Sequence, residues 1–298
     1  MYIGIDWGGT KIEAVALDAS GNELSRIRQD TPKGDYRGCI RIICDLVNHV
    51  EQETGQTGSV GIGIPGTLEP KSRRAKGCNS TWLIGQPIEQ DLQGALNRPV
   101  RVENDANCLA ASEAIDGAGA GFNVVFAIII GTGAGAGIAI GGKPHAGANN
   151  SAGEWGHNPL PYPDISEIPG PPCYCGRHGC METWVSGTGL QNDYLRHANT
   201  ELKSNEIIEK MRGGDHLARR IYRRYVNRMA RGLALVANIL DPDVFVLGGG
   251  MSNITELYDD LQPELANYVL STVFDTPVRK AKHGDSSGVR GAAWLWRE

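Results

Sequence analysis

Three cysteines lie close together in the second half of the chain, within a run of eight residues. They are Cys173, Cys175 and Cys180. Clustered thiolates with one histidine suit a tetrahedral zinc ion, so this spacing predicts a structural zinc site rather than a set of free or redox-active thiols. His157 is the expected fourth ligand, and His178 is the alternative. Such a site would hold the loop that carries Glu154 and His157 against the loop that carries Glu182.

A group of acids and amides at Glu103-Asn104-Asp105-Ala106-Asn107 has a composition that suits proton transfer. The group follows a predicted strand and precedes a predicted helix, and ligands of α/β proteins collect at such strand ends. Asp105 is therefore a candidate general base for a hydroxyl group, with a helix N-cap as the alternative role. Asn104 is a candidate hydrogen-bonding partner of a polyol, or a residue that turns the chain.

Glycine-rich turns follow predicted strands at three places, and bare backbone amides in such turns can approach phosphate oxygens. The turns are Gly8-Gly9-Thr10-Lys11, Gly131-Thr132-Gly133 and Gly248-Gly249-Gly250. The chain has no P-loop string, and its G-x-G-x-x-G string at 61–66 does not open a helix, so neither nucleotide fingerprint applies. Asp6, beside the first turn, is a candidate magnesium ligand, directly or through water.

Strands and amphipathic helices are predicted around these motifs. Apolar runs and alternation predict strands at 2–5, 12–17, 23–28, 59–64, 100–103, 124–130, 135–140 and 244–247. Helical spacing of apolar residues predicts helices at 35–53, 106–116, 221–240 and 288–296. The polar motifs therefore lie at the ends of strands in an α/β protein.

The start of the chain and the region after residue 123 share one pattern: a strand, a turn of glycine and threonine, and a second strand. This faint duplication predicts two similar half-molecules that face each other across a cleft. The run Gly117-Ala-Gly-Ala-Gly121 marks the expected boundary between them.

The composition limits the class of protein. The 298 residues include 34 acidic and 29 basic side chains, for a net charge of −5, and 41% are hydrophobic. The acidic balance argues against nucleic acid or an anionic membrane as a partner. The longest apolar run, 124–130, is far shorter than the ~20 residues of a membrane-spanning helix. With no secretion signal and seven cysteines, an odd number, the chain is expected to be cytoplasmic.

Several arginines are spaced along and just before the predicted helix at 221–240. They are Arg219, Arg220, Arg223, Arg224 and Arg228. A surface for nucleic acid is one interpretation, but a solvated helix face is the favoured one, because the opposite face carries the apolar stripe.

Together these motifs resemble the ROK family (repressor, open reading frame, kinase) of sugar kinases and regulators, over essentially the whole chain. The matching segments are 6–11, 61–66, 103–107, 130–133, 153–157, 173–182 and 247–250. Within the family, the chain is most similar to bacterial fructokinases of the manno(fructo)kinase type, through the segments 79–83, 157–161 and 280–294. Two features depart from the family pattern. Trp7 replaces an aliphatic residue, and the segment between His157 and Cys173 is longer than in many members.

The resemblance implies a fold of the actin, Hsp70 and hexokinase type, which is a two-domain, ribonuclease H-like α/β fold with an interdomain cleft. In this family the final helix packs back on the first domain. The expected domains are therefore 1–117 plus 289–298, and 118–288, with the zinc loop in the second. The resemblance also implies a homodimer.

The resemblance further implies a kinase that uses ATP and magnesium to phosphorylate a hexose, with the 6-hydroxyl of fructose expected and mannose as a further substrate. Asp105 would be the catalytic base. The implied sugar contacts are Gly66, Asn79, Asn104, Asp105, Glu154, His157 and Glu182. The implied ATP contacts are Asp6, Gly8, Gly9, Thr10, Lys11, Gly131, Thr132, Gly133, Gly249 and Gly250. The implied zinc ligands are His157, Cys173, Cys175 and Cys180.

Three other functions compete with this interpretation. A kinase for glucose, N-acetylglucosamine or N-acetylmannosamine differs only in the shape of the sugar pocket. A sugar-sensing regulator of the same family would carry a DNA-binding segment before the first glycine motif, where only three residues precede Gly4. A non-catalytic, actin-type nucleotide-binding scaffold would have no need of Asp105 or of the cysteine cluster.

Overall fold

The computed structural model describes residues 1–78 and 80–297, apart from the side chain of Asp285. Contacts within the chain divide it into two units. The first unit comprises Met1–Asn123, Gly137–Gly153 and Lys282–Glu298, and the second comprises Val124–Ala136 and Glu154–Ala281. The division differs from the domains expected from the sequence, because it assigns 118–123, 137–153 and 282–288 to the first unit.

The two units are built from both strands and helices. The strands are β1 Tyr2–Trp7, β2 Lys11–Leu17, β3 Glu23–Asp30, β4 Ser59–Ile64, β5 Thr67–Leu68, β6 Ala75–Lys76, β7 Val100–Asn104, β8 Val124–Ile130, β9 Ala134–Ile140, β10 Lys143–Pro144, β11 Val244–Gly248 and β12 Val278–Lys280. The α-helices are α1 Tyr36–Thr54, α2 Ile88–Leu96, α3 Asp105–Ile115, α4 Glu182–Val185, α5 Gly187–Ala198, α6 Ser204–Arg212, α7 His216–Leu240, α8 Glu256–Ala266 and α9 Ser287–Trp294.

A five-stranded mixed sheet in the order β3-β2-β1-β4-β7 forms the centre of the first unit. Strands β1, β4 and β7 are parallel, so their carboxyl ends meet at one edge. The register pairs Asp6 with Gly63 and Ile64 with Asn104. The sheet therefore brings the first glycine turn, the segment before Gly66 and the Asn104-Asp105 pair to the same edge.

Helix α1 covers this sheet with an apolar face and has clear signals at both ends. Its buried aliphatic residues include Ile43, Leu46 and Val50, at the helical spacing predicted from the sequence. The side chain of Asp35 accepts a hydrogen bond from the amide of Gly38 and caps the amino end. Gly55 ends the helix in the left-handed conformation, with φ of 66°.

Helix α9 returns the carboxyl-terminal segment to the first unit, where it packs on α3 and β1. The buried carboxylate of Glu113, on α3, accepts a hydrogen bond of 2.8 Å from the hydroxyl of Ser287. It also accepts the backbone amides of Ala118 and Lys282, at 2.7 and 3.0 Å. One buried acid thus holds both the segment after α3 and the segment before α9, which explains why 118–123 and 282–288 group with the first unit.

A second five-stranded sheet, in the order β10-β9-β8-β11-β12, belongs mainly to the second unit, and the boundary between the units runs through β9. Strands β8, β11 and β12 are parallel. The carboxyl ends of β8 and β11 therefore bring the turns at 131–133 and 248–250 to one edge. The long helix α7 packs on α5, α6 and α8. No helix within the described part of the chain is long and apolar enough to cross a membrane.

Candidate active site and metal centre

The structure places Asp105 and Asn104 at the junction between β7 and α3 in the first unit. Asn104 is the N-cap of α3, since its side-chain oxygen accepts the amides of Ala106 and Asn107, at 2.9 and 3.3 Å. The capping role proposed as an alternative for Asp105 therefore belongs to Asn104. The side-chain Nδ2 of Asn104 donates to the carbonyl of Gly66 at 3.0 Å, and this hydrogen bond joins two of the predicted sugar contacts.

Asp105 is the first residue of α3, where the helix dipole stabilises a negative charge. One of its carboxylate oxygens accepts the amide of Ala106 at 2.8 Å. These contacts fix the carboxylate at the carboxyl end of the parallel strands, the position expected of a ligand-binding residue. Asn79, another predicted sugar contact, lies outside the described residues.

Asp6 lies at the same edge of the sheet, close enough to Asp105 for their charges to interact. Burial, together with the negative charges of Asp105 and Glu13, raises the pKa of Asp6 to about 7. Acidic groups held together in this way suit a divalent cation, whose charge removes their repulsion. The residues present therefore fit a magnesium ion beside Asp6.

The first glycine turn is held by its own backbone and by Thr31, the residue after β3, rather than by its own side chains. The amide of Gly8 donates to the carbonyl of Lys11 at 2.9 Å, and the hydroxyl of Thr31 donates to the carbonyl of Gly8 at 2.8 Å. Thr10 and Lys11 are exposed, while Gly8 and Gly9 are partly exposed. The turn is thus fixed in shape while Thr10 and Lys11 point to solvent, as a phosphate-binding turn requires.

Gly66 occupies a position that no other residue fills without strain. Its φ is 149°, and an added Cβ would lie 2.5 Å from the sulfur of Cys78 and 2.7 Å from the carbonyl oxygen of Lys76. The close approach fixes the Gly66 carbonyl, which in turn accepts the side chain of Asn104. Gly66 therefore positions Asn104 as well as being a predicted contact of the sugar.

A cavity of about 690 Å³ opens at the edge of the second sheet, within the second unit. Three predicted ATP contacts line it: Gly131, Thr132 and Gly250. Gly133 and Gly249 are not in its wall. Gly249 has φ of 79°, and a Cβ there would lie 2.6 Å from the carbonyl oxygen of Ile130, so its role is to turn the chain.

Helix α5, helix α6 and the N-cap of α6 supply wall residues that were not predicted from the sequence, among them Gly187, Thr188, Gln191, Lys203 and Ser204. The amide of Gly187 donates to the carbonyl of Gly131 at 2.8 Å, which fixes the amino end of α5 against the glycine turn. The string Ser186-Gly-Thr-Gly189, with Ser186 as the N-cap of α5, was the available signal, because a helix amino end of this kind suits an anion. Lys203 and Ser204 carry no local signal.

The predicted metal ligands converge in the second unit. One ligand atom from each residue lies within 4.8 Å of all the others, in the set His157, Cys173, Cys175 and Cys180. His178 is not a member, so the structure favours His157 as the fourth ligand.

The distances in this cluster fit a tetrahedral ion. The sulfurs of Cys175 and Cys180 are 3.6 Å apart, and the sulfur of Cys173 is 3.6 Å from Nδ1 of His157. A zinc ion ~2.3 Å from each sulfur would set two sulfurs about 3.8 Å apart, so the cluster needs little adjustment to hold one.

The other ring nitrogen of His157 has a separate partner. Its Nε2 lies 2.8 Å from the hydroxyl of Tyr174. Since Nδ1 faces the sulfurs, a metal on Nδ1 leaves the proton on Nε2, which then donates to Tyr174. Tyr174 is a residue of the site that was not predicted from the sequence.

Glu182 and Glu154 are held next to the cysteine cluster. The carboxylate of Glu182 lies 3.9 Å from the sulfur of Cys173 and accepts the amide of Ala134 at 3.1 Å. Glu154 begins a single 3₁₀ turn that ends at His157. The adjacent ring of Trp155 is buried, with its NH bonded to the carbonyl of Gly232 at 3.0 Å. The cluster thus holds three predicted sugar contacts, Glu154, His157 and Glu182, close to one another.

Comparison with known proteins gives one family. The family model described as ROK family matches residues 2–298. A curated relative from Escherichia coli O139:H28, named N-acetyl-D-glucosamine kinase, is 39% identical over 99% of this chain and 99% of the relative. Another of the same name from Pectobacterium atrosepticum is 38% identical over 99% of this chain and 98% of the relative.

A solved structure of similar shape is a ROK hexokinase from Thermus thermophilus. Its TM-score is 0.88 at 31% identity, over 99% of this chain and 97% of that chain. The expectation that fructokinases would be the nearest relatives gains no support from these matches, since the curated relatives named above are N-acetyl-D-glucosamine kinases. The expectation of the family itself is confirmed.

Proposed function

The chain belongs to the ROK family and is an ATP-dependent sugar kinase, and we propose that it transfers the γ-phosphoryl group of ATP to the 6-hydroxyl of a hexose with Asp105 as general base. The observation that carries this proposal is the placement of Asp105. Its carboxylate lies at the carboxyl end of three parallel strands, beside Asp6 and Asn104, and it begins a helix that Asn104 caps.

In the proposed step, the hexose hydroxyl oxygen forms a bond to the γ-phosphorus, the bond to the β-phosphate oxygen breaks, and ADP leaves. The hydroxyl proton passes to the carboxylate of Asp105. Phosphoryl transfer relies on positioning and charge neutralisation more than on covalent help. Asn104, bound to the Gly66 carbonyl, orients the sugar rather than reacting with it.

Magnesium bound beside Asp6 would neutralise charge on the transferred phosphate. Asp6 fits this role because it lies against Asp105 and Glu13 and its pKa is raised to about 7 by burial and by their charges. The exposed Thr10 and Lys11 are the proposed phosphate contacts of the first unit.

The 690 Å³ cavity in the second unit is the proposed nucleotide site. Its size lies within the range of pockets for ligands as large as a nucleotide. Thr132 and the amino end of α5 supply hydroxyl and amide donors for phosphate oxygens. Ile208, Met251 and Ile254 supply apolar surface for the base.

The zinc cluster is the proposed support of the sugar contacts Glu154, His157 and Glu182. Zinc in this site has a structural role, since four protein ligands fill a tetrahedral ion. Its effect would be to fix the turn that carries Glu154 and His157 relative to the start of α4.

Two acceptor sugars are proposed, each supported by a different observation. The curated relatives, at 38% and 39% identity over nearly the whole chain, favour N-acetyl-D-glucosamine over the expectation of fructose. Fructose, with mannose, is the second candidate, favoured by the segments 79–83 and 157–161, which include the proposed sugar contacts Asn79 and His157. Acceptor choice depends on a few pocket residues, whereas identity over the whole chain reflects mostly the fold.

The test is the release of ADP from magnesium-ATP with N-acetylglucosamine, fructose, mannose and glucose in parallel, each against a blank without sugar. The highest kcat/KM with N-acetylglucosamine supports the first acceptor, and the highest with fructose supports the second. ADP release that does not depend on any hexose contradicts the proposed function.

A further inference from the structure

Six arginines of α7 gather around one cavity of about 1020 Å³ in the second unit. They are Arg219, Arg220, Arg223, Arg224, Arg228 and Arg231. Only two carboxylates, those of Asp164 and Glu167, share its wall. For the first five of these arginines, all except Arg231, the sequence favours a solvated helix face. That interpretation is wrong for Arg228, of which only 5% is exposed, because acids from distant segments cover it.

The inner arginines form a buried ion-pair network. Glu167 accepts Nε of Arg228 at 2.7 Å and the guanidinium of Arg231 at 2.9 Å. Asp193 accepts Arg228 at 2.8 Å and Arg224 at 2.5 Å. Arg196 also donates to Asp193, at 3.2 Å, so four guanidinium groups share two carboxylates and these six groups carry a net charge of +2.

Two nitrogen atoms of the network have no hydrogen-bond partner among the described residues. The Nε atom of Arg231 is buried and unpaired, and so is that of Arg224. Side chains nine-tenths buried rarely leave a charged donor unpaired, because its desolvation is costly. Both atoms are closed to solvent, and the other donors of Arg231 already bind Glu167 and the carbonyls of Pro161 and Tyr162, so the protein itself holds the inner arginines in place.

The outer arginines are free to bind. Arg220 and Arg223 are exposed, and the described residues give their side chains no hydrogen-bond or ion-pair partner. On a helix, residues three and four positions apart lie on one face, so Arg220, Arg223 and Arg224 present their charges together. The excess positive charge of the cavity is therefore concentrated on its accessible side.

Aromatic rings form another edge of the cavity. The rings of Tyr162 and Tyr268 stack, with centroids 6.1 Å apart and planes 22° apart. Tyr162 is 66% exposed and lies in the segment that joins the zinc ligands His157 and Cys173. A volume of 1020 Å³ is far larger than a single phosphate needs, and the rings offer surface for the body of a ligand.

We propose that this cavity, between α7 and the 158–172 segment, is a second ligand site that binds a small phosphorylated molecule with at least two negative charges, such as a sugar bisphosphate. Guanidinium groups suit phosphate because they offer paired donors at fixed geometry. The site is separate from the nucleotide cavity, whose wall is formed by other residues of the same unit. A nucleic acid fits less well, because the charge is confined to a concavity and the whole chain is acidic.

The test is calorimetric titration of the full chain with a hexose 1,6-bisphosphate and, separately, with inorganic pyrophosphate, without magnesium and at constant ionic strength. The double variant Arg220→Ala/Arg223→Ala removes the two unpaired outer charges and leaves the buried network intact. The matched control, Arg28→Ala/Lys71→Ala, removes two exposed charges of the first unit.

We expect binding of one bisphosphate per chain in the wild type and in the control, and affinity about 100-fold weaker in the double variant, since each charge-assisted contact contributes roughly tenfold. The same loss with pyrophosphate assigns recognition to the phosphates alone. If the double variant loses affinity for the bisphosphate but not for pyrophosphate, part of the recognition belongs to the sugar.

Equal affinity in the wild type and the double variant overturns the proposal. So does a wild type that binds no bisphosphate, whether or not it binds a short RNA. Because binding is measured without turnover, these outcomes are independent of whether the proposed kinase reaction is correct.

Discussion

Replacing Glu167 with glutamine removes one charge from the buried network while keeping the shape of the side chain. Burial alone would raise the pKa of Glu167, but the hydrogen bonds from Arg231 and Arg228 outweigh it and lower the pKa from 4.5 to about 2. A difference of about 2.5 pKa units corresponds to about 3 kcal/mol of stabilisation of the folded, ionised state. Glu167→Gln should therefore lower the free energy of unfolding of the second unit by about 3 kcal/mol at pH 7.

The pH dependence identifies the source of this loss. Because the folded pKa lies below the unfolded value, the stabilisation is complete above about pH 5 and is lost as the pH falls from 4.5 towards 2. The difference between the wild type and Glu167→Gln should shrink from about 3 kcal/mol at pH 7 to about 1 kcal/mol at pH 3.

Urea unfolding, monitored by the hydrogen exchange of the α7 amides, measures this difference in the free energy of unfolding at each pH. The control Glu201→Gln replaces an exposed acid of the same unit and should leave the stability unchanged. A difference below 1 kcal/mol at pH 7, or one that stays constant from pH 7 to pH 3, refutes the argument that ionised Glu167 stabilises the buried arginines.

Three further predictions concern the proposed site. Gly249→Ala should weaken ATP binding and destabilise the second unit by about 1–3 kcal/mol, because the φ of Gly249 is 79° and an added Cβ would meet the carbonyl of Ile130. Nucleotide titration and urea unfolding measure these two effects, with Gly213→Ala as the control. Elemental analysis should find one zinc per chain and none in Cys180→Ser, and equal metal content in both would contradict the zinc assignment. Tyr174→Phe should weaken zinc binding about 10-fold by removing the partner of His157 Nε2, measured by competition with a chelator, and unchanged affinity would exclude that role.

Elements with strong local patterns were predictable from the sequence. The buried runs at 59–64 and 124–130 have the bounds of β4 and β8, and the helix expected at 35–53 is α1, shifted by one residue. Helices α2, α4, α5, α6 and α8 were not predicted. Gly94 weakens the helical signal of α2, and Gly187 and Gly189 weaken the apolar pattern of α5.

The site was predictable where the residue types determine the chemistry. Three cysteines and a histidine converge as expected, because zinc ligands must be of these types. Whether Asn104 or Asp105 caps α3 depends on the exact residue at which β7 ends. Apolar periodicity does not fix the end of a strand to one residue. The burial of Arg228 and Arg231 depends on Glu167 and Asp193, which are distant in sequence and carry no local signal.

The central claim is that Asp105 is the base of a sugar-dependent kinase, and the most direct measurement is the turnover of Asp105→Asn. Asparagine keeps the size of the side chain and the hydrogen bond to Ala106 but cannot accept the proton. We expect kcat with the preferred hexose to fall at least ~100-fold, with unchanged urea unfolding and unchanged nucleotide affinity. Turnover within a few-fold of the wild type, in a folded variant that still binds ATP and hexose, would contradict the account.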